Sequence, residues 1–276
     1  MVSHDTQHFA VLRDRVLEKS GLFFDETKRQ YFLRRVQQRM QVVGCPGMTD
    51  YTHIIQEDTS EAELSELLNL LTTTETYFFR NRPQLQAFEE EIIPAILQRK
   101  QQAGESQIQI WSAGCSSGEE PYTIAMLLLE RIPALAQWDI TILGTDINTQ
   151  VLAHARVGRY PPRAFRDMPA HYQTKYFTPD GDQLRIAERV QRLVTFRQEN
   201  LLTSEHAPTR RPVDCIFCRN LLIYFHRDAQ NHAVNILYGR LAPQGYLFVG
   251  HAESLYRMSA RFTAVKLQHS WVYYKA

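Results

Sequence analysis

Along the first 75 residues the apolar positions recur at helical spacing. Phe9, Leu12 and Val16 form one such series, and Leu64, Leu67, Leu68 and Leu71 form another. Gly21 and the stretch Gly44-Cys45-Pro46-Gly47 interrupt the pattern and predict helix ends. Asp25 is placed to cap the helix that follows, and Thr49 or Asp50 the one after that. On the helix holding Lys28 to Met40, Leu33, Val36 and Met40 share a face and are the expected core side. Residues 1–75 therefore read as a small all-helical domain.

From about residue 107 the period changes. "QIQIWSAG" and "DITILGTD" are short β-rich runs, each ending in turn residues, and helical segments separate or follow them. Later come "RLVTFRQENL", "VDCIFCRNLLIYF", "GYLFVG" and "SWVYYKA". Strands alternating with helices predict a parallel sheet with helices on both faces. Residues 76–106 read as a linker and a connecting helix over 83–103, and residues 107–276 as an α/β domain. Residues 156–190 break the alternation, with Pro161-Pro162 and the aromatics Tyr160, Phe165, Tyr172, Tyr176 and Phe177. The turn Pro179-Asp180-Gly181-Asp182, with "KYFT" before it and "QLRIA" after it, predicts a hairpin and hence a small antiparallel insertion.

Composition narrows the class. The chain has 276 residues, 44% hydrophobic and 22% charged, as in a soluble globular protein. Its 31 basic and 30 acidic residues nearly cancel, so the total offers no argument for nucleic acid. Apolar runs such as Ile124 to Leu129 are too short to cross a bilayer. "MVSHDTQHFAVLRDR" lacks the apolar core of a secretory signal, and four cysteines suit a reducing compartment. A cytoplasmic location is expected. Charge is unevenly spread: residues 1–40 carry eight Lys/Arg against five Asp/Glu, and residues 41–75 carry seven acids and no Lys or Arg.

Chemistry concentrates after the predicted strands. In an open α/β sheet the ligand lies at the C-terminal ends of the strands, which gathers Gly114 to Gly118, Asp146, Asn200 and Arg219-Asn220 around one crevice. The loop "AGCSSGEEPY" resembles a phosphate cradle, but Glu119-Glu120 would repel a pyrophosphate, and no GxGxxG or GxxxxGK[ST] is present. Acids at a helix start ordinarily just stabilise its dipole. Combined with the glycine turn and Asp146, they favour a cationic nucleoside, and S-adenosylmethionine carries both a sulfonium and an α-ammonium. Asp146 is placed either to accept from both ribose hydroxyls or to cap the helix beginning near Asn148, a role Thr149 could equally fill.

Other residues have two readings each. Tyr224, about a turn beyond Asn220, is either core or a ring and hydroxyl facing a sulfonium and a substrate oxygen. "LTTTETYFFRNRP" is either a capped turn or an arm bringing Thr76 and Arg80 to the cofactor's amino-acid moiety, where Arg suits a carboxylate. Lys28, Arg35 and Arg39 lie within about 40° of one another on a helix. They form either a solvated stripe or a docking surface for an acidic helical partner. Cys215 and Cys218 form a CxxC whose members point to opposite faces of a strand, and no second ligand pair completes a metal site. No GxSxG elbow supports hydrolysis.

Together these motifs resemble the chemoreceptor glutamate O-methyltransferases, the CheR family, over essentially the whole chain. The resemblance rests on "TTTETYFFR", "WSAGCSSGEEPYT", "GTDIN", "ENLL", "DCIFCRNLLIYF" and "GYLFVGHAES". It implies an α/β, Rossmann-like S-adenosylmethionine-dependent methyltransferase domain with a small antiparallel β insertion, preceded by an all-helical N-terminal domain. It implies transfer of the cofactor's methyl to glutamates of a chemoreceptor's cytoplasmic helices, leaving S-adenosylhomocysteine. Cofactor contacts carried over are Thr74, Thr76, Arg80, Gly114, Glu119, Asp146, Asn200, Leu201, Arg219 and Asn220, with Tyr224 and Arg80 at the reacting centre. Thr74 departs from the family's Asn, keeping a donor and an acceptor on a shorter side chain. A partner receptor, no direct membrane contact and a monomeric state are expected. A methyltransferase for another carboxylate, or a non-catalytic cofactor sensor, are the competing readings.

Overall fold

The computed structural model describes residues 2–132, 135–203, 211–256 and 258–276. The chain forms two compact units, one of residues 1–73 with 224–230, the other of residues 74–223 with 231–276.

The first unit is built from α1 (Val2–Ser20), α2 (Arg29–Val43), α3 (Met48–Glu57) and α4 (Ala62–Leu71). Gly21 and Gly44 end α1 and α2, as their positions predict. Asp25 accepts from the backbone N–H groups of Thr27 and Lys28, capping a short 3-10 turn that leads into α2. The cap of α3 is Gly47, not Thr49 or Asp50: Asp50 lies in the first turn, and Thr49 is hydrogen-bonded to His8. Phe9, Leu12, Val16, Leu64, Leu67, Leu68 and Leu71 are all buried. On α2 the buried residues are Phe32 and Val36, while Leu33 and Met40 are only half-buried, so the core face is rotated from the expected one.

Two findings correct the sequence reading of this unit. Arg39 does not stand free on a basic stripe. Its Nε and Nη2 donate to Glu63 at 2.9 and 2.7 Å, and Tyr51 donates to the same carboxylate at 2.7 Å. A bidentate pair this well satisfied joins α2 to α4 and is structural. Tyr224 to Gln230, expected within the α/β domain, belongs to the helical unit instead. Leu22 and Phe225 form an antiparallel bridge, and the Phe23 and His226 N–H groups donate to the carbonyls of Tyr224 and Gly21.

The second unit starts with α5 (Arg82–Ala87) and α6 (Ile93–Gln102), joined by a π turn over Phe88–Ile92. Pro94 accounts for the widened turn, since it lacks an N–H and its ring would crowd the carbonyl of Glu90 in regular α geometry. Then follow β1 (Gln107–Ala113), α7 (Glu119–Arg131), β2 (Asp139–Asp146), α8 (Thr149–Val157), β3 (Arg159–Tyr160), α9 (Ala170–Tyr176), β4 (Phe177–Asp180) and β5 (Gln183–Ile186). The chain continues with α10 (Glu188–Gln191), β6 (Val194–Gln198), β7 (Val213–Cys218), α11 (Arg227–Arg240, in this unit from Asn231 on), β8 (Leu241–Val249), β9 (Thr263–Lys266) and β10 (Trp271–Tyr274).

The main sheet has the order β6-β2-β1-β7-β8-β10-β9. The five strands from β6 to β8 are parallel, but β10 and β9 add an antiparallel edge that the alternation did not predict. The order reverses between β1 and β7, which makes their C-terminal ends the switch point where an α/β sheet takes its ligand. A separate antiparallel sheet, β3-β5-β4, is the expected insertion, with the β4–β5 hairpin at Gly181-Asp182. At the N-terminal end of the central strand β7, Asp214 is 1% exposed and ion-paired with Arg99 at 2.5 Å and Lys100 at 3.1 Å. Asp214 also accepts the Gln109 N–H.

Candidate cofactor site

Parallel pairing brings the ends of β1, β2 and β6 to one edge. The Gly114 and Cys115 N–H groups donate to Thr145 O at 2.8 and 2.9 Å, and the Glu199 N–H donates to Asp146 O at 3.0 Å. The glycine loop, Asp146 and Asn200 are therefore neighbours by backbone geometry. Gly114 and Gly118 have φ of +74° and +92°, where a side chain is strained. A Cβ at Gly114 would meet Leu221, and one at Gly118 would meet Ala155 and Phe196. Both glycines thus let the loop fold tightly onto the protein and hold its backbone at the strand ends.

Asp146 is free of the capping role. Asn148 caps α8 instead, accepting from the N–H groups of Gln150 and Val151. Asp146 accepts the Ser116 N–H on Oδ2 and the Asn148 N–H on Oδ1, and burial raises its pKa. Each oxygen keeps a lone pair for a further donor. Two N–H groups thus fix the carboxylate in orientation.

Glu119 opens α7 and is 4% exposed. It accepts from Ser117 Oγ at 2.8 Å, and burial pushes its pKa up to about 7. A carboxylate removed from water with a hydroxyl partner holds its charge poorly, and a cationic ligand at its oxygens would restore it. These acceptor oxygens fit the ammonium of S-adenosylmethionine, which donates. Glu120, beside it, has a different role from stabilising the helix start. It accepts from Ser112 Oγ at 2.6 Å and from Arg219 Nε at 2.6 Å.

That pair settles where the Arg219 side chain is spent. Its Nη1 also donates to Arg80 O at 2.8 Å and Gln84 Oε1 at 3.3 Å. Arg219 is buried and joins the end of β7 to the segment before α5. Asn220, next to it, has a φ of +58° and donates its N–H to Glu253. Asn200 Oδ1 accepts the Leu202 N–H, opening a 3-10 turn in which Leu201 is buried.

The strap from Thr74 to Asn81 is anchored residue by residue. Thr74 O accepts from Ser116 Oγ of the glycine loop at 3.0 Å, while the Thr74 side chain is exposed. Glu75 pairs with Arg166 at 3.1 Å, and that guanidinium lies 3.7 Å from the Tyr77 ring centre. Phe78 is fully buried among Tyr160, Phe165 and Phe177 of the insertion, and its N–H donates to Ala164 O. The Phe79 N–H donates to Thr123 Oγ1 of α7. Thr76 and Arg80 are half-buried on this strap, with Arg80 Nη1 donating to Glu75 O at 3.0 Å. Tyr160 of the insertion donates to Ser117 O at 2.8 Å, so the insertion holds both the strap and the glycine loop.

Gln84, Tyr160 and Glu253, and the pairing of Glu120 with Arg219, are parts of this site that sequence reasoning missed. Spacing carries no signal for them, since Glu120 and Arg219 are 99 residues apart. Cys115, Cys215 and Cys218 are buried thiols, their pKa values raised mainly by burial. Lys28 is exposed and Arg35 half-buried over the Tyr31 ring.

Comparison with known proteins agrees with the geometry. Residues 74–271 match the model of the CheR methyltransferase SAM binding domain, and residues 7–72 match that of the CheR methyltransferase all-alpha domain. Chemotaxis protein methyltransferase 2 of Vibrio cholerae is 38% identical over 268 residues, 97% of this chain and 92% of the relative. The chemotaxis protein methyltransferase of Borreliella burgdorferi is 34% identical, covering 87% of this chain and 85% of the relative. That of Escherichia coli is 29% identical, over 93% and 87%. With its second unit built as an S-adenosylmethionine-binding domain behind an all-helical one, the chain belongs to the CheR methyltransferase family.

Proposed function

We propose that the chain transfers the methyl group of S-adenosylmethionine to glutamate side chains in the cytoplasmic helices of a methyl-accepting chemoreceptor. The products would be glutamate γ-methyl esters and S-adenosylhomocysteine. The observation that carries this reading is the match of both units, at 7–72 and 74–271, to the two CheR models. The relatives named as chemotaxis protein methyltransferases support it over nearly the whole chain.

Glu119 is assigned to the cofactor's ammonium and Asp146 to its ribose hydroxyls. Gly114, Asn200, Leu201 and Asn220 line the strand ends around it, and Thr74, Thr76 and Arg80 contribute from the strap. Arg80 is the partner for the methionyl carboxylate. Arg219 acts indirectly, because its guanidinium is committed to Glu120, Gln84 and the carbonyl of Arg80. Tyr224 is assigned to the reacting centre on the family resemblance, through its ring face and hydroxyl.

Bound S-adenosylmethionine supplies an electrophilic methyl. The acceptor glutamate, with an ordinary pKa of about 4.3, is already ionised at neutral pH, so no side chain of this protein need remove a proton. The protein's contribution is to align the reactants and exclude water. Lys28 and Arg35 are the residues we assign to receptor docking. Among the described residues no helix is long and apolar enough to cross a membrane. We propose a monomer acting in the cytoplasm.

Labelled methyl transfer to a receptor cytoplasmic fragment tests the function. Base-labile label on receptor glutamates is expected. Label on a different acceptor, or binding without transfer, would overturn the assignment in favour of another methyltransferase or a sensor.

A further inference from the structure

The loops that end β7 and β8 meet at a carboxylate with no part in the roles assigned above. Glu253 Oε2 accepts the Asn220 N–H at 2.8 Å and the Gly250 N–H at 2.6 Å, while Oε1 accepts the Ile223 N–H at 3.2 Å. Three backbone donors from two separate loops thus converge on one side chain, an anion-binding concavity filled by the protein itself. Asn220 sits in the left-handed region at φ +58°, a conformation that non-glycine residues adopt mainly where their surroundings hold it. Glu253 supplies that hold on the backbone of Asn220, and the fixed Arg219 side chain supplies it from the preceding residue.

Gly250 completes the arrangement by leaving room. A Cβ there would lie 2.7 Å from Glu253 Oε2, 2.9 Å from Asn220 N and 2.9 Å from Asn220 Nδ2. The small residue and the carboxylate are therefore two halves of one device. We infer that Glu253, through Gly250, is a positioning residue for cofactor binding: it clamps the β7 loop so that Asn220 is presented at the switch point of the sheet. The inference rests on the cofactor site of the proposed function and not on its methyl acceptor.

Calorimetric titration of S-adenosylmethionine into the full chain tests it. Glu253→Gln keeps the shape but turns a donor toward one N–H group. It should weaken the Kd about tenfold, as for loss of one charge-assisted hydrogen bond, with the number of sites per chain unchanged. A wild-type Kd with fewer active sites would show a merely structural role and overturn the proposal. Gly250→Ala should weaken binding in the same direction. Combined with Glu253→Ala, its effect should be smaller than the product of the two single effects, because both act on one clamp. A full product would overturn the coupling. Because the readout is binding, a chain that behaves this way yet labels no receptor glutamate would sink the proposed function and leave the clamp standing.

Discussion

Two buried acids at opposite ends of the strands of one sheet have opposite surroundings. Asp214 meets Arg99, Lys100 and a backbone N–H, so its charge is matched within the protein. Glu119, at the strand ends, accepts from Ser117 and has its pKa pushed to about 7. A buried carboxylate with cations of its own belongs to the architecture. For one with a hydroxyl and a raised pKa, as for Glu119, we propose a partner charge that arrives from outside. Burial alone does not separate the two cases; the partners do.

Breaking the architectural acid should have the largest effect. Asp214→Ala leaves Arg99 and Lys100 without their shared acid and should cost about 3 kcal/mol of unfolding free energy in denaturant titration. The S-adenosylmethionine affinity of the folded protein should be unchanged, and a parallel loss of affinity would erase the distinction between the two strand ends.

Next in size, Asp146→Ala should weaken cofactor binding about 100-fold by calorimetry, through the lost ribose acceptor and the released glycine loop. Unchanged affinity would sink the ribose assignment. Stability should fall less than for Asp214→Ala, since Asn148 keeps its own cap on α8.

Glu119 sharpens the comparison through pH. Its folded pKa lies above the ordinary 4.5, so the free protein loses stability as pH rises from about 4.5 through 7, where the unfolded chain ionises first. Cofactor affinity should run the other way, rising with pH between 5.5 and 7.5 as the carboxylate becomes charged. Glu119→Gln should flatten both profiles, with about a tenfold loss of affinity at pH 7.5 and little at pH 5.5. A wild-type affinity independent of pH over that range would remove Glu119 as the ammonium partner.

The smallest effect belongs to the helical unit. Lys28→Glu with Arg35→Glu should lower receptor methylation a few-fold, more at low salt than at high, while cofactor affinity stays put. Equal methylation by the double variant would exclude docking there. Arg39 is left out of this test because its charge is taken up by Glu63, and changing it would report on stability.

Periodicity made much of the fold legible. The helices of the first unit, the parallel strands and the hairpin at Gly181 follow from local spacing and turn residues. Less legible was the antiparallel edge, since "TAVK" is too short to stand out from a loop. Side-chain assignments divided along the same line. Asp146 and Glu119 could be singled out as candidates because strand ends announce themselves in sequence, whereas Arg39 and Lys28 looked alike on a helical wheel until Glu63 was seen beside one of them.

By itself the sequence determined the element types, the family, and the clustering of acids and glycines at strand ends, all of which depend on neighbours in the chain. Tertiary structure decided which charges are spent. Glu120 and Glu119 are adjacent and chemically identical, yet one pairs with Arg219 at the end of the neighbouring strand β7 and the other is buried against Ser117. That difference arises from contacts 99 residues apart and from loss of water, neither of which local spacing encodes.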